Sequence, residues 1–145
     1  MTRSEEATRL FEAGYNCAQS VLCACVDDEN LTHEAALGVA AALGGGMCRT
    51  AGPCGAVTGA LMAIGSRYSS RIVEDPSYRK VVYAKGAEFI EKFKSKHGST
   101  ICRELLGCDI STTEGTHYAL ERDLTKIRCV QFIADAVESV GLDKE

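Results

Sequence analysis

The sequence has little that would place it on nucleic acid or inside a membrane. Its formal net charge is −4 and its pI is near 5.4, and an acidic chain is a poor partner for phosphate backbones. The apolar run within residues 43–65 ends at Ser66 and Arg67, so it is shorter than the roughly 20 residues needed to cross a bilayer. Residues 1–6 are polar and acidic, with no apolar signal-peptide core. We therefore expect no nucleic-acid partner, no stable membrane insertion and a cytoplasmic location.

Strand and linker signals are equally scarce. The 145 residues include two prolines, both at positions where a helix could begin, and no useful alternation of apolar and polar residues. Helix signals recur instead, such as the capping-box spacings of Thr2 with Glu5 and of Asn16 with Gln19. The sequence predicts an all-α fold: a single-domain helical bundle of about six to seven helices that covers residues 1–145.

Familiar catalytic motifs are also missing, whereas thiols are abundant. No Ser-His-Asp arrangement, phosphate-binding loop or paired carboxylates stand out, which disfavours a hydrolase or a kinase. The chain has eight cysteines: Cys17, Cys23, Cys25, Cys48, Cys54, Cys102, Cys108 and Cys129. Structural disulfides are rare in a reducing compartment, so metal binding or redox chemistry gains weight.

Residues 43–65 are the most informative stretch of the chain. The three consecutive glycines Gly44–Gly46 indicate a backbone that bends sharply or approaches another group closely. Cys54 lies where a helix begins, and the free N–H groups and dipole there are expected to favour its thiolate. Gly55 and Gly59 give this helix a bare face for close packing. Its neighbour could come from the same chain or from a second subunit, so a homodimer is left open.

Four cysteines share one local setting. Each falls in the first turn of a different predicted helix: Cys17, Cys54, Cys102 and Cys129. If these helix ends converge, the thiols form a pocket for a tetrathiolate metal or cluster, or for a redox dithiol. Their separations along the chain match no compact zinc motif, so spacing alone does not choose among these sites.

The motifs that contain these cysteines resemble a known family. They are GYNC at 14–17, GGGM at 44–47, CGAVTG at 54–59, CRELLG at 102–107, and Cys129. Together they resemble the C_GCAxxG_C_C family of redox-active proteins, whose four signature cysteines map onto Cys17, Cys54, Cys102 and Cys129. A related domain occurs in split-Soret cytochromes, where it is associated with an iron–sulfur centre. The resemblance therefore implies a redox role for the four thiols.

The chain departs from the family pattern at several positions. Cys48 stands where glycine is common, and Cys23, Cys25 and Cys108 are additional thiols. There is no Cys-x-x-Cys-His motif, so covalent haem attachment is not implied. Cys23 and Cys25 lie on opposite sides of one predicted helix, and we expect both to be ordinary core residues.

Three hypotheses follow from the sequence and the resemblance. The leading one is a redox or electron-transfer protein that holds a small iron–sulfur cluster, expected as [2Fe–2S], on the four signature thiolates and serves an unidentified redox partner protein. The first alternative is a thiol–disulfide oxidoreductase without cofactor, in which Cys54 and Cys48 are the redox thiols. The second is a helical bundle with a structural zinc ion. Cys48 and Cys108 are second-rank candidates for metal ligands. Whether the protein is an enzyme stays open at this point.

Overall fold

The computed structural model describes residues 1–69 and 75–142, and within these ranges the chain is all-α and contains no strand. The described elements are α1 (Arg3–Glu12), α2 (Cys17–Cys25), α3 (His33–Val39), a 3₁₀ turn (Ala41–Leu43), α4 (Gly55–Tyr68), α5 (Tyr78–His97), α6 (Cys102–Leu106), α7 (Thr113–Glu121), a π-helical turn (Thr125–Cys129) and α8 (Val130–Val140). The predicted fold class is confirmed. The eight α-helices exceed the expected number because α7 forms where the sequence signal is ambiguous.

Helix α2 lies at the centre of the bundle. Residues 20–25 are all buried, and α1, α3, α4 and α8 pack around them. Its start is fixed by the predicted capping box: Gln19 N donates to Asn16 Oδ1 at 2.8 Å, and Asn16 N donates to Gln19 Oε1 at 3.0 Å. Cys23 and Cys25 lie in the core that this helix forms, as expected.

Helix α4 packs closely against α2 through its glycine face. A Cβ atom added at Gly59 would lie 2.7 Å from the carbonyl oxygen of Ala18, so any side chain there would push the two helices apart. The close-packing face expected at Gly55 and Gly59 is therefore used within the chain, and a homodimer stays a prediction. In residues 1–69 and 75–142, no helix is both long and apolar enough to cross a bilayer.

Three residues that helical periodicity predicts in the core are exposed instead. Helical periodicity predicts that Ile127 lies in the core, yet its side chain is 66% exposed. The π-helical turn 125–129 adds a residue to the turn and so rotates Ile127 away from the buried side of α8. Val81 and Ala84 of α5 are also predicted in the core, but both are exposed, Val81 by 47%. The same helix buries Phe89 and Phe93, as predicted.

Candidate functional site

A cavity of about 150 Å³ lies where several helix ends meet. Thiols from four separate elements line it: Cys17 at the start of α2, Cys54 as the N-cap of α4, Cys102 at the start of α6, and Cys129 at the end of the π-helical turn. Most of the remaining wall is apolar side chains and glycine backbone. The fold thus brings together, around one space, the four cysteines that the sequence singles out.

The Cys17 thiol is held in a cradle of backbone amides. The N–H groups of Ala18, Gly45 and Gly55 are directed at its sulfur, and they oppose the burial that raises the pKa of Cys17. A Cβ atom at Gly55 would overlap Cys17 Sγ, so only glycine fits immediately after Cys54. This contact is a physical reason for the Cys-Gly pair at the start of α4.

The Cys54 thiol experiences two opposing influences. Cys54 is the N-cap of α4, and the nearby backbone N–H groups of Ala56 and Val57 favour negative sulfur. Burial nevertheless raises the pKa of Cys54 to about 12, and the nearby Cys17 thiol adds to the rise. The expected low-pKa thiolate at this helix start is therefore wrong, because the loss of water outweighs the helix-end amides.

Cys102 is tied to Cys54 by backbone hydrogen bonds. Cys54 N donates to Thr100 O at 2.8 Å, and Cys102 N donates to Gly52 O at 2.7 Å. Because these two bonds join the segments directly before α4 and α6, they fix the two thiols relative to each other. Burial raises the pKa of Cys102 to about 11, and Cys17 contributes to the shift.

Cys129 enters the cavity from an unexpected element. The sequence places it in the first turn of the last helix, but it is the last residue of a π-helical turn that continues directly into α8. Its own amide belongs to a continuous helical segment, so a free helix N-terminus does not explain its position. Burial raises the pKa of Cys129, and the other cavity thiols reinforce the effect. Single π-helical turns of this kind are frequent at functional sites.

The glycine-rich loop before α4 has strained backbone. Residues 45–49 and Ala51 all have positive φ angles, a conformation that costs a non-glycine residue roughly 1–2 kcal/mol. Glycine is required at Gly46, where a Cβ atom would collide with the backbone of Ala51 and Gly52. The sharp bend predicted from the glycines is present, and it brings the amide of Gly45 to the sulfur of Cys17.

Comparison with known proteins bears on these cysteines. Residues 15–141 match the model of a family described as "putative redox-active protein (C_GCAxxG_C_C)". The chain belongs to the C_GCAxxG_C_C family. The matched region of this C_GCAxxG_C_C protein contains all four cysteines that line the cavity. No curated protein and no solved structure matches the chain.

The second-rank cysteines of this C_GCAxxG_C_C protein lie outside the cavity wall. Cys48 is exposed and lines a separate surface groove beside the start of α7. Cys54 is therefore a buried thiol at the cavity, whereas Cys48 is a surface thiol in a separate groove. Cys108 is half-buried, and it lies close enough to Cys102 and Cys129 to raise the pKa of both.

The cavity is a set of sulfur donors around a space rather than a preformed site for one ion. Within residues 1–69 and 75–142, no three Cys, His, Asp or Glu side chains are arranged to hold a single metal ion. The four thiols are nevertheless the donor type that binds zinc and iron–sulfur clusters. Their ligand role stays a prediction.

Proposed function

We propose that this C_GCAxxG_C_C protein is an electron-transfer protein that holds an iron–sulfur cluster on Cys17, Cys54, Cys102 and Cys129. The observation that carries the proposal is that four cysteines from four different elements, all within the region that matches the family, line one cavity. Cysteine thiolates are the ligands that such clusters use. A bound cluster would supply a one-electron donor and acceptor, and we expect the [2Fe–2S] form.

The protonation chemistry of the four thiols supports a positively charged occupant. Burial raises the pKa of each thiol, and neighbouring sulfurs raise the pKa of Cys54, Cys102 and Cys129 further. Because burial and the neighbouring sulfurs disfavour ionisation, the four thiols hold their protons when no metal ion is bound. Metal ions reverse this preference, because a coordinating thiol is deprotonated outright.

The backbone around the cavity supports a redox role in particular. Amides of Ala18, Gly45 and Gly55 face the sulfur of Cys17, and amides at the start of α4 face Cys54. Hydrogen bonds to ligand sulfurs are one of the means by which proteins set cluster potentials. The residues of this chain would thus ligate the cluster, donate hydrogen bonds to its sulfurs and keep most water away from it.

The dithiol alternative has weaker support from the same geometry. Thiol exchange requires an accessible thiolate, whereas Cys54 is buried and burial raises its pKa to about 12. Its proposed partner Cys48 faces a different groove on the surface. The dithiol and structural-zinc hypotheses therefore remain alternatives, and the experiments below distinguish them from the cluster hypothesis.

The ligand set is tested by single serine substitutions. We expect Cys54→Ser, purified without oxygen, to lose nearly all visible cluster absorption and bound iron, because a ligand is removed from a four-thiolate site. The same loss is expected when the other three cavity cysteines are changed singly. Absorption, iron and acid-labile sulfide are measured on each sample, and far-UV circular dichroism checks that the variant is folded.

The matched control is Cys48→Ser, which removes an exposed thiol that does not line the cavity. It should keep the wild-type cluster content. A folded Cys54→Ser protein with a full cluster would remove Cys54 from the ligand set. Full clusters in all four cavity variants would refute the proposed function.

A further inference from the structure

Arg49 differs from the other residues of the cavity wall in its charge. Among the described residues that line the cavity, it is the only one with a formally charged side chain. Its guanidinium lies close enough to Cys102 to lower the pKa of that thiol, against the opposing effect of burial. Because Arg49 is exposed, its charge stands at the mouth of the cavity rather than on its floor.

The backbone and side chain of Arg49 are both held in place. Its φ angle is +59°, a strained conformation of the kind that clusters at functional sites. Arg49 N donates to Gly44 O at 3.1 Å, and Arg49 Nη2 donates to Thr116 Oγ1 of α7 at 3.4 Å. These contacts hold Arg49 where it lines both the cavity and the neighbouring surface groove.

We infer that Arg49 is a positioning residue that places one positive charge beside the four-thiolate site and raises the reduction potential of the group held there. The inference rests on the proposed function. Reduction adds one electron, taken from a partner or mediator, and no bond to Arg49 forms or breaks. A nearby cation stabilises the more negative, reduced form more than the oxidised form. Removal of the arginine charge should therefore make reduction harder.

The test is an anaerobic potentiometric titration of Arg49→Gln and Arg49→Lys. We expect Arg49→Gln to lower the equilibrium constant for reduction by about tenfold, which is ~59 mV for a one-electron couple. Arg49→Lys keeps the charge and should restore most of the potential. Glutamine and lysine are both unbranched at Cβ, so the strain of the positive φ angle is similar in the two variants.

The matched control is Arg79→Gln, which removes an exposed arginine from α5, a helix that contributes no described residue to the cavity wall. It should leave the potential unchanged. The difference between wild type and Arg49→Gln should also shrink in about 1 M salt, where the Debye length falls to about 3 Å. A purely structural role for Arg49 would show neither the salt dependence nor the rescue by lysine.

Iron and sulfide analysis of the same samples distinguishes a failure of the proposed role of Arg49 from a failure of the proposed cluster-binding function. A full cluster with wild-type potential in Arg49→Gln overturns the role of Arg49 and leaves the proposed function standing. Wild-type protein without iron and sulfide overturns both. If Arg49→Gln does not hold the cluster, Arg49→Lys decides: a full cluster with near wild-type potential supports the charge role, and loss of the cluster overturns it.

Discussion

At the scale of single residues, two opposing effects act on the pKa values of the cavity thiols. Backbone amides around Cys17 and Cys54 favour negative sulfur, while the loss of water disfavours it. Burial dominates, so the pKa of each cavity thiol rises. The amides therefore become effective when a cation joins the thiols and replaces their protons.

The raised thiol pKa values predict how stability depends on pH. The reference pKa of a cysteine is 9.0, whereas that of Cys54 is raised to about 12 and that of Cys102 to about 11. Above about pH 9 the unfolded chain loses thiol protons that the folded chain retains. The free energy of unfolding of the reduced, metal-free protein should therefore fall as pH rises from about 9 toward 11–12.

Urea unfolding of the reduced, metal-free protein between about pH 7 and 10 measures this dependence. The Cys54→Ser variant is the control, because it lacks one of the raised groups and should show a shallower decline. A free energy of unfolding that stays constant or increases from about pH 8.5 to 10 would show that the thiols are not held protonated in the folded state.

At the scale of structural elements, the contact between α2 and α4 holds two of the cavity thiols together. Gly55 should be intolerant of a side chain, because its Cβ atom would overlap Cys17 Sγ. We expect Gly55→Ala to lower the free energy of unfolding by about 1–3 kcal/mol, the usual cost of overpacking. It should also reduce cluster content, since Cys17 must move.

Gly65 supplies a matched control within the same helix. A Cβ atom there meets nothing within 4 Å, and alanine is favoured over glycine inside a helix by roughly 0.5–1 kcal/mol. Gly65→Ala should therefore stabilise the protein slightly and leave the cluster intact. Chemical denaturation of both variants gives the comparison. Equal effects at the two positions would contradict a specific contact between Gly55 and Cys17.

Much of the element structure was predictable because it depends on local chemistry. The capping boxes of α1 and α2 form as the sequence indicates, and Thr32 caps α3 through its side chain. Side chains and amides three residues apart determine these features, so distant contacts are not required. The close-packing role of Gly59 likewise follows from its spacing to Gly55.

Other features cannot be predicted from local sequence, because contacts between distant residues determine them. Met47 and Arg49 adopt left-handed backbone, although neither residue type favours it. The π-helical turn before α8 disrupts the simple helical period, and so exposes Ile127 and shifts Cys129 from the expected first turn. Helix-end chemistry alone predicts a lowered pKa for Cys54; the pKa is raised instead, because burial is a property of the whole fold.

At the scale of the whole molecule, the bundle gathers thiols that are far apart in sequence. Cys17 and Cys129 lie near opposite ends of the chain, yet both line the same cavity. Local sequence signals identify these four cysteines as candidates, but they do not determine whether the helix ends converge. The cavity and the charge of Arg49 at its mouth became visible only with the fold.

The most direct test of the central claim is anaerobic purification of the wild-type protein, followed by a visible absorption spectrum and by iron, zinc and acid-labile sulfide analysis. We predict a brown protein with about two irons and two sulfides per chain, as a [2Fe–2S] centre on four thiolates requires. A colourless protein with reduced thiols and no metal would contradict the account and favour dithiol chemistry. A colourless protein with one zinc ion per chain would make the site structural.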